Sequence, residues 1–144
     1  MSAFVLKIIA IISMTCDHLS YLIFGHTSFL NFIGRIAFPI FAYQISEGYI
    51  HTSNLRKYFL RLFVFALISQ IPFMLFTSIF TTSFSLNIFF TLSFGLLAIT
   101  LYDKIDKKSY KTTNAHIFYN MLGIIGVCLI ACLAEFSHTD YGAF

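Results

Sequence analysis

Five apolar runs, each long enough or nearly long enough to cross a bilayer, take up most of this chain of 144 residues. A spanning helix needs about 20 mostly apolar residues. The runs are Phe4 to Phe24, Phe29 to Ile50, Tyr58 to Phe76, a shorter one from Leu86 to Tyr102, and Ile117 to Phe136. Only 10% of residues are charged, against 58% hydrophobic. A soluble domain carries roughly 25% charged residues to face water, so this chain cannot coat a globule. The expectation is an all-α, polytopic membrane helical bundle of about five transmembrane helices in one domain, residues 1–144.

The basic residues set the orientation. Lys7, the stretch with Arg56, Lys57 and Arg61, and the stretch with Lys104, Lys107, Lys108 and Lys111 fall on one side of a five-pass layout. The opposite side, Gly25 to Ser28, Thr77 to Ser85 and the tail from Ser137, has no Lys or Arg. Positive loops stay in the cytoplasm, which places the N-terminus inside and the tail outside. Ser13-Met14-Thr15-Cys16 is no small-x-small cleavage site, so the first run reads as a retained helix rather than a signal peptide.

Ionisable groups inside apolar segments are costly and mark function by default. The first segment carries Asp17 and His18; the second carries Arg35 and Glu47. At 1.5 Å per residue, Asp17 lies roughly 20 Å above the inner boundary and Arg35 about 9 Å below the outer face of a ~30 Å core. The depths match, so Asp17 and Arg35 can pair, with His18 beside them. Ser13, Asp17 and Ser20 share one face of the first helix, and Gln44, Glu47 and His51 share one face of the second. On a straight helix Arg35 points away from Gln44. Pro39 lies between them, so the expectation is a kink at Phe38-Pro39 that turns both patches one way.

Each feature also has a structural reading. An Asp–Arg pair can simply lock two helices, and basic loops are what orientation alone requires. Gly34 and Gly48 read as close-packing positions, and Asn87 with Thr91 as interhelical hydrogen bonding. His26 and His116 read as solvated. Cys128 and Cys132 read as small packing residues, and the odd count, with Cys16, argues against a disulfide framework. The five His are scattered without HxxxH or CxxC, so no metal site is expected, and no nucleic-acid motif occurs.

Taken in order, these residues resemble the TraX family. The resemblance rests on Leu6-Lys7-Ile8-Ile9-Ala10 with Met14 and Asp17-His18. It continues through Gly34-Arg35-Ile36-Ala37-Phe38-Pro39-Ile40-Phe41, Glu47-Gly48-Tyr49-Ile50-His51-Thr52, Arg56-Lys57-Tyr58 and Arg61-Leu62. Ser69-Gln70-Ile71-Pro72-Phe73 and Asp140-Tyr141-Gly142 complete it. It covers essentially the whole chain. It implies N-terminal acetylation of pilin, or a related acyl transfer from cytosolic acyl-CoA to a peptide amine or glycan hydroxyl on the outer side of the bacterial cytoplasmic membrane. Carried over position by position, Asp17, His18, Arg35, Glu47, His51, Arg56, Tyr58 and Arg61 become the candidates.

In that reading Arg56, Lys57 and Arg61 dock the CoA phosphates, with Glu47, His51 and Tyr58 nearby in the motif. His18 is the general base, and Arg35 either pairs with Asp17 or stabilises the oxyanion. Family members run well past this length, so the chain is expected to be a short or truncated form. The rival is a non-enzymatic membrane protein (a small transporter, proton relay or immunity-type factor) using Asp17, His18 and Arg35 as an ion or proton site.

Overall fold

The computed structural model describes residues 3–24, 29–79, 84–107 and 113–136. Those residues form six helices: α1 (Ala3–Phe24), α2 (Phe29–Gly34), α3 (Ala37–His51), α4 (Leu55–Thr77), α5 (Ile88–Asp106) and α6 (Thr113–Phe136). The chain divides into two compact units, Met1–His51 and Thr52–Phe144. His26, Lys108, Lys111 and the Asp140-Tyr141-Gly142 stretch lie outside the described residues, as does the His116 side chain.

In the first unit α1 packs against both α2 and α3. Gly34 of α2 lies against Asp17 of α1, and Leu6 joins Pro39, Ile40 and Tyr43 around an open groove. The second arm therefore runs back along the first as a hairpin. Ala10, Ser13 and Ser20 are buried. With Asp17 they recur at the helical period and define the α1 face that the second arm covers.

The second apolar segment is not one helix. It is interrupted by a turn at Arg35 and Ile36, four residues before the expected kink at Pro39. Proline acts one turn upstream of itself: it withholds the donor that the carbonyl of residue i−4, here Arg35, would receive, and its ring crowds that carbonyl. Pro39 itself sits in the first turn of α3, where backbone N–H groups have no intrahelical partner anyway. The Arg35 N–H still donates to the Asn31 carbonyl at 3.1 Å and the Ile36 N–H to Ile33 at 3.2 Å. These bonds close α2 tightly before the chain restarts. At 15 residues, α3 is about 22 Å long, short of a ~30 Å core.

Among the described residues, four helices are long and apolar enough to cross a membrane: Ala3–Phe24, Leu55–Thr77, Ile88–Asp106 and Ile117–Phe136. The protein is thus an all-α membrane protein, and its described residues make four continuous candidate spans and one broken arm. Phe65, Ile68, Ile71 and Leu75 on α4 and Leu129 and Leu133 on α6 are each more than half exposed. Such surfaces suit lipid and would be costly in water.

In the second unit α5 packs against α4 and α6, and its Ile88, Leu92 and Leu96 are buried. Gly123 and Gly126 let α6 approach closely: a β-carbon on Gly126 would stand 3.1 Å from Leu101 Cδ2, and one on Gly123 3.4 Å from Ile105 Cδ1. α5 starts later and runs further than the apolar run indicates, from Ile88 to Asp106 rather than Leu86 to Tyr102. Asp103 pairs with Lys107 at 2.8 Å at its polar end.

Candidate functional site

Three of the candidate residues meet in the hairpin. Asp17 projects from the covered face of α1 onto the backbone of α2 at Gly34. A β-carbon there would stand 2.6 Å from Asp17 Oδ1 and 2.8 Å from Cγ. Contacts that short do not occur, so only glycine lets the two helices approach this closely with the carboxylate between them. His18, one residue on, points about 100° away around α1. Arg35 follows Gly34 directly in the turn. The Arg35 guanidinium, and the His18 imidazole when protonated, act electrostatically on the Asp17 carboxylate. Asp17 and His18 are half-buried, whereas Arg35 is exposed. Pairing lowers the cost of keeping both charges inside an apolar hairpin.

Glu47 and His51 form a second group at the far end of α3. His51 Nδ1 lies 2.9 Å from the Glu47 carbonyl oxygen and 3.7 Å from its Oε2. The His51 side chain is 75% exposed and that of Glu47 44%. An ion pair that open adds little stability, so the arrangement orients the ring more than it holds the fold.

Arg56, Lys57 and Tyr58 occupy the first turn of α4 and Arg61 the second. Asn54 caps this helix: its side chain accepts from the Lys57 N–H at 3.1 Å. The three cations are exposed, and Tyr58 is half-buried. Positive side chains add to the positive pole of a helix rather than offsetting it. An anion arriving here would be met by side-chain charge and dipole together.

A further polar cluster joins α4 to the start of α5. Asn87 Nδ2 donates to the Ala66 carbonyl at 2.8 Å and to Ser69 Oγ at 3.1 Å, and its Oδ1 accepts from the Phe89 N–H at 3.0 Å. Gln70 Oε1 accepts from the Asn87 N–H at 3.0 Å, and Gln70 Nε2 donates to the Ser85 carbonyl at 2.9 Å. Asn87 is both helix cap and interhelical tie. Sequence reasoning gave it the second role only, although an Asn just before an apolar run is a cap signal.

The fold and this group of charges define a polytopic membrane protein with a charged cluster built into a helix hairpin. The chain belongs to the TraX family, whose model, described as TraX protein, matches residues 2–144. It is 36% identical over 113 residues to the probable fimbrial assembly protein FimC, serogroup H1, of Dichelobacter nodosus, an alignment that takes in 69% of this chain and 46% of that relative. The chain thus spans somewhat less than half the length of the curated relative it matches. No solved structure matches it.

Proposed function

We propose that this chain acts in acyl transfer at the bacterial cytoplasmic membrane, with cytosolic acyl-CoA as donor and a pilin or other exported peptide amine, or a glycan hydroxyl, as acceptor. The observation that carries the proposal is the Asp17 carboxylate held against Gly34, with His18 and Arg35 around it. Membership of the TraX family and the fimbrial-assembly relative support the same direction.

In this reading His18 takes a proton from the acceptor nitrogen or oxygen as that atom attacks the thioester carbonyl. Arg35, exposed at the turn, offsets the negative charge that develops on the carbonyl oxygen. The C–S bond then breaks, and the thiolate of CoA leaves and takes up a proton. Asp17 keeps Arg35 oriented while the guanidinium exchanges between the carboxylate and the oxyanion. Arg56, Lys57 and Arg61 hold the donor's phosphates, with Tyr58 beside them on α4; Glu47 and His51 are donor-side candidates by the family resemblance alone.

Titration of CoA against the purified protein tests the donor assignment. Binding should be saturable, and Arg56→Ala with Arg61→Ala should weaken it while leaving the protein in the membrane. A transporter or proton relay has no reason to bind CoA. Affinity unchanged in the double variant would reduce the basic cluster to an orientation signal.

A further inference from the structure

Where α1 meets α2 the hairpin is closed, with Asp17 directly on the backbone of Gly34. Where α1 meets α3 it leaves room. Leu6, Pro39, Ile40 and Tyr43 line an open groove of about 460 Å³, within the ~300–1,000 Å³ of small-molecule sites. Its lining is apolar apart from the Tyr43 hydroxyl. Pro39 and Tyr43 are exposed, and Leu6 and Ile40 are half-buried. The α3 part of the lining follows one helix face, and one turn beyond Tyr43 that face carries Glu47. The Glu47 side chain is 44% exposed. On α1, Leu6 is followed by Lys7, which is exposed and is the sole Lys or Arg of that helix. Because α1 begins where α3 ends, Lys7 and Glu47 flank the same end of the groove. The basic loops put that end at the cytoplasmic boundary. Helical side chains lean toward the N-terminus of their own helix, so the long stem of Lys7 carries its charge toward the headgroups.

An apolar groove that ends between a cation and a carboxylate complements an amphiphile with an apolar chain and a headgroup of both charges. We propose that the α1–α3 groove binds one phospholipid of the cytoplasmic leaflet whose headgroup carries a primary amine. One acyl chain lies along Leu6, Pro39, Ile40 and Tyr43, the phosphate meets Lys7, and the ammonium donates to Glu47. A glycerol headgroup would satisfy Lys7 and bring no cation to the carboxylate. A choline headgroup brings the cation without an N–H to donate, and charge-assisted hydrogen bonds are the strong ones. Binding of this lipid needs no acyl donor, so it stands apart from the proposed reaction.

Titration of the purified chain in detergent with phosphatidylethanolamine, phosphatidylglycerol and phosphatidylcholine of identical acyl chains tests the site, with bound lipid counted by native mass spectrometry. The wild type should retain one phosphatidylethanolamine saturably, about fivefold more tightly than either other lipid, the effect of one charge contact at a membrane surface. Lys7→Ala should weaken retention of all three, since each carries the phosphate. Leu6→Trp should do the same by filling the groove. Glu47→Gln should abolish the preference for phosphatidylethanolamine, and Glu47→Lys should reverse it toward phosphatidylglycerol, a gain that misfolding cannot produce. Glu135→Gln, at an exposed carboxylate on α6, should leave the preference intact. Equal retention of the three lipids by the wild type, or binding of many copies without saturation, would mean an annular shell only and would overturn the proposal. So would a preference that survives both Glu47→Gln and Glu47→Lys.

Discussion

The Asp17 carboxyl group rests on the backbone of Gly34, close enough that a β-carbon at position 34 would stand 2.6 Å from Asp17 Oδ1. The site therefore depends on an atom that is absent. Gly34→Ala should force α2 away from α1 and cost about 1–3 kcal/mol, the usual range for overpacking. Thermal unfolding in detergent reads the loss. Gly95→Ala is the control, because a β-carbon there meets nothing within 4 Å. It should be neutral or mildly stabilising.

The electrostatic partnership of Asp17 and Arg35 predicts non-additivity. Asp17→Asn and Arg35→Met should each destabilise the protein, and the double variant should lose less than their sum. The coupling should fall at about 0.5–3 kcal/mol, as for other residues in one charge network. A double-mutant cycle on unfolding free energies measures it. Strict additivity would mean that the two charges do not act on each other.

Asn87 anchors the start of α5 through both ends of its amide. Asn87→Leu should leave the Phe89 N–H uncapped and the Ala66 carbonyl and Ser69 hydroxyl without their donor, at a cost on the order of 1–3 kcal/mol. Asn87→Asp keeps the cap acceptor but not the donors, so it should fall between the two when melting temperatures are compared.

Orientation follows from the basic residues alone and can be read by labelling. A cysteine at Lys107 should react with an impermeant reagent only from the cytoplasm, and one at Phe84 only from outside. The reverse pattern would move the proposed donor-binding cluster to the wrong side of the membrane.

The spans were legible because lipid leaves few alternatives: an apolar run of this length must be helical. Four of the five segments form continuous helices, with ends shifted by several residues at most. The broken arm shows where sequence reading falls short. Pro39 is visible in the sequence as the cause, but the break lies at Arg35 and Ile36, because proline disturbs the carbonyl one turn before it. Matching depths for Asp17 and Arg35 brought the right helices together. They did not show that the immediate contact is with Gly34, since helical rise fixes height and not the closeness of two backbones. Gly123 and Gly126, three residues apart in an apolar helix, carry a packing signal that the sequence shows and the structure explains through Leu101 and Ile105. The Gln70–Asn87 link joins residues 17 apart through a helix end, and only the folded chain shows it.

The account stands on His18 as a chemical group rather than a strut, and one assay addresses it. Membranes carrying the protein would be supplied with radiolabelled acetyl-CoA and a peptide bearing a pilin-like N-terminal amine, and transfer would be followed for wild type and His18→Gln at equal, folded amounts of protein. The account predicts transfer by the wild type and a fall of about 10²–10⁴-fold in the variant, the usual contribution of a general base. Transfer at the wild-type rate in a folded His18→Gln protein would contradict it.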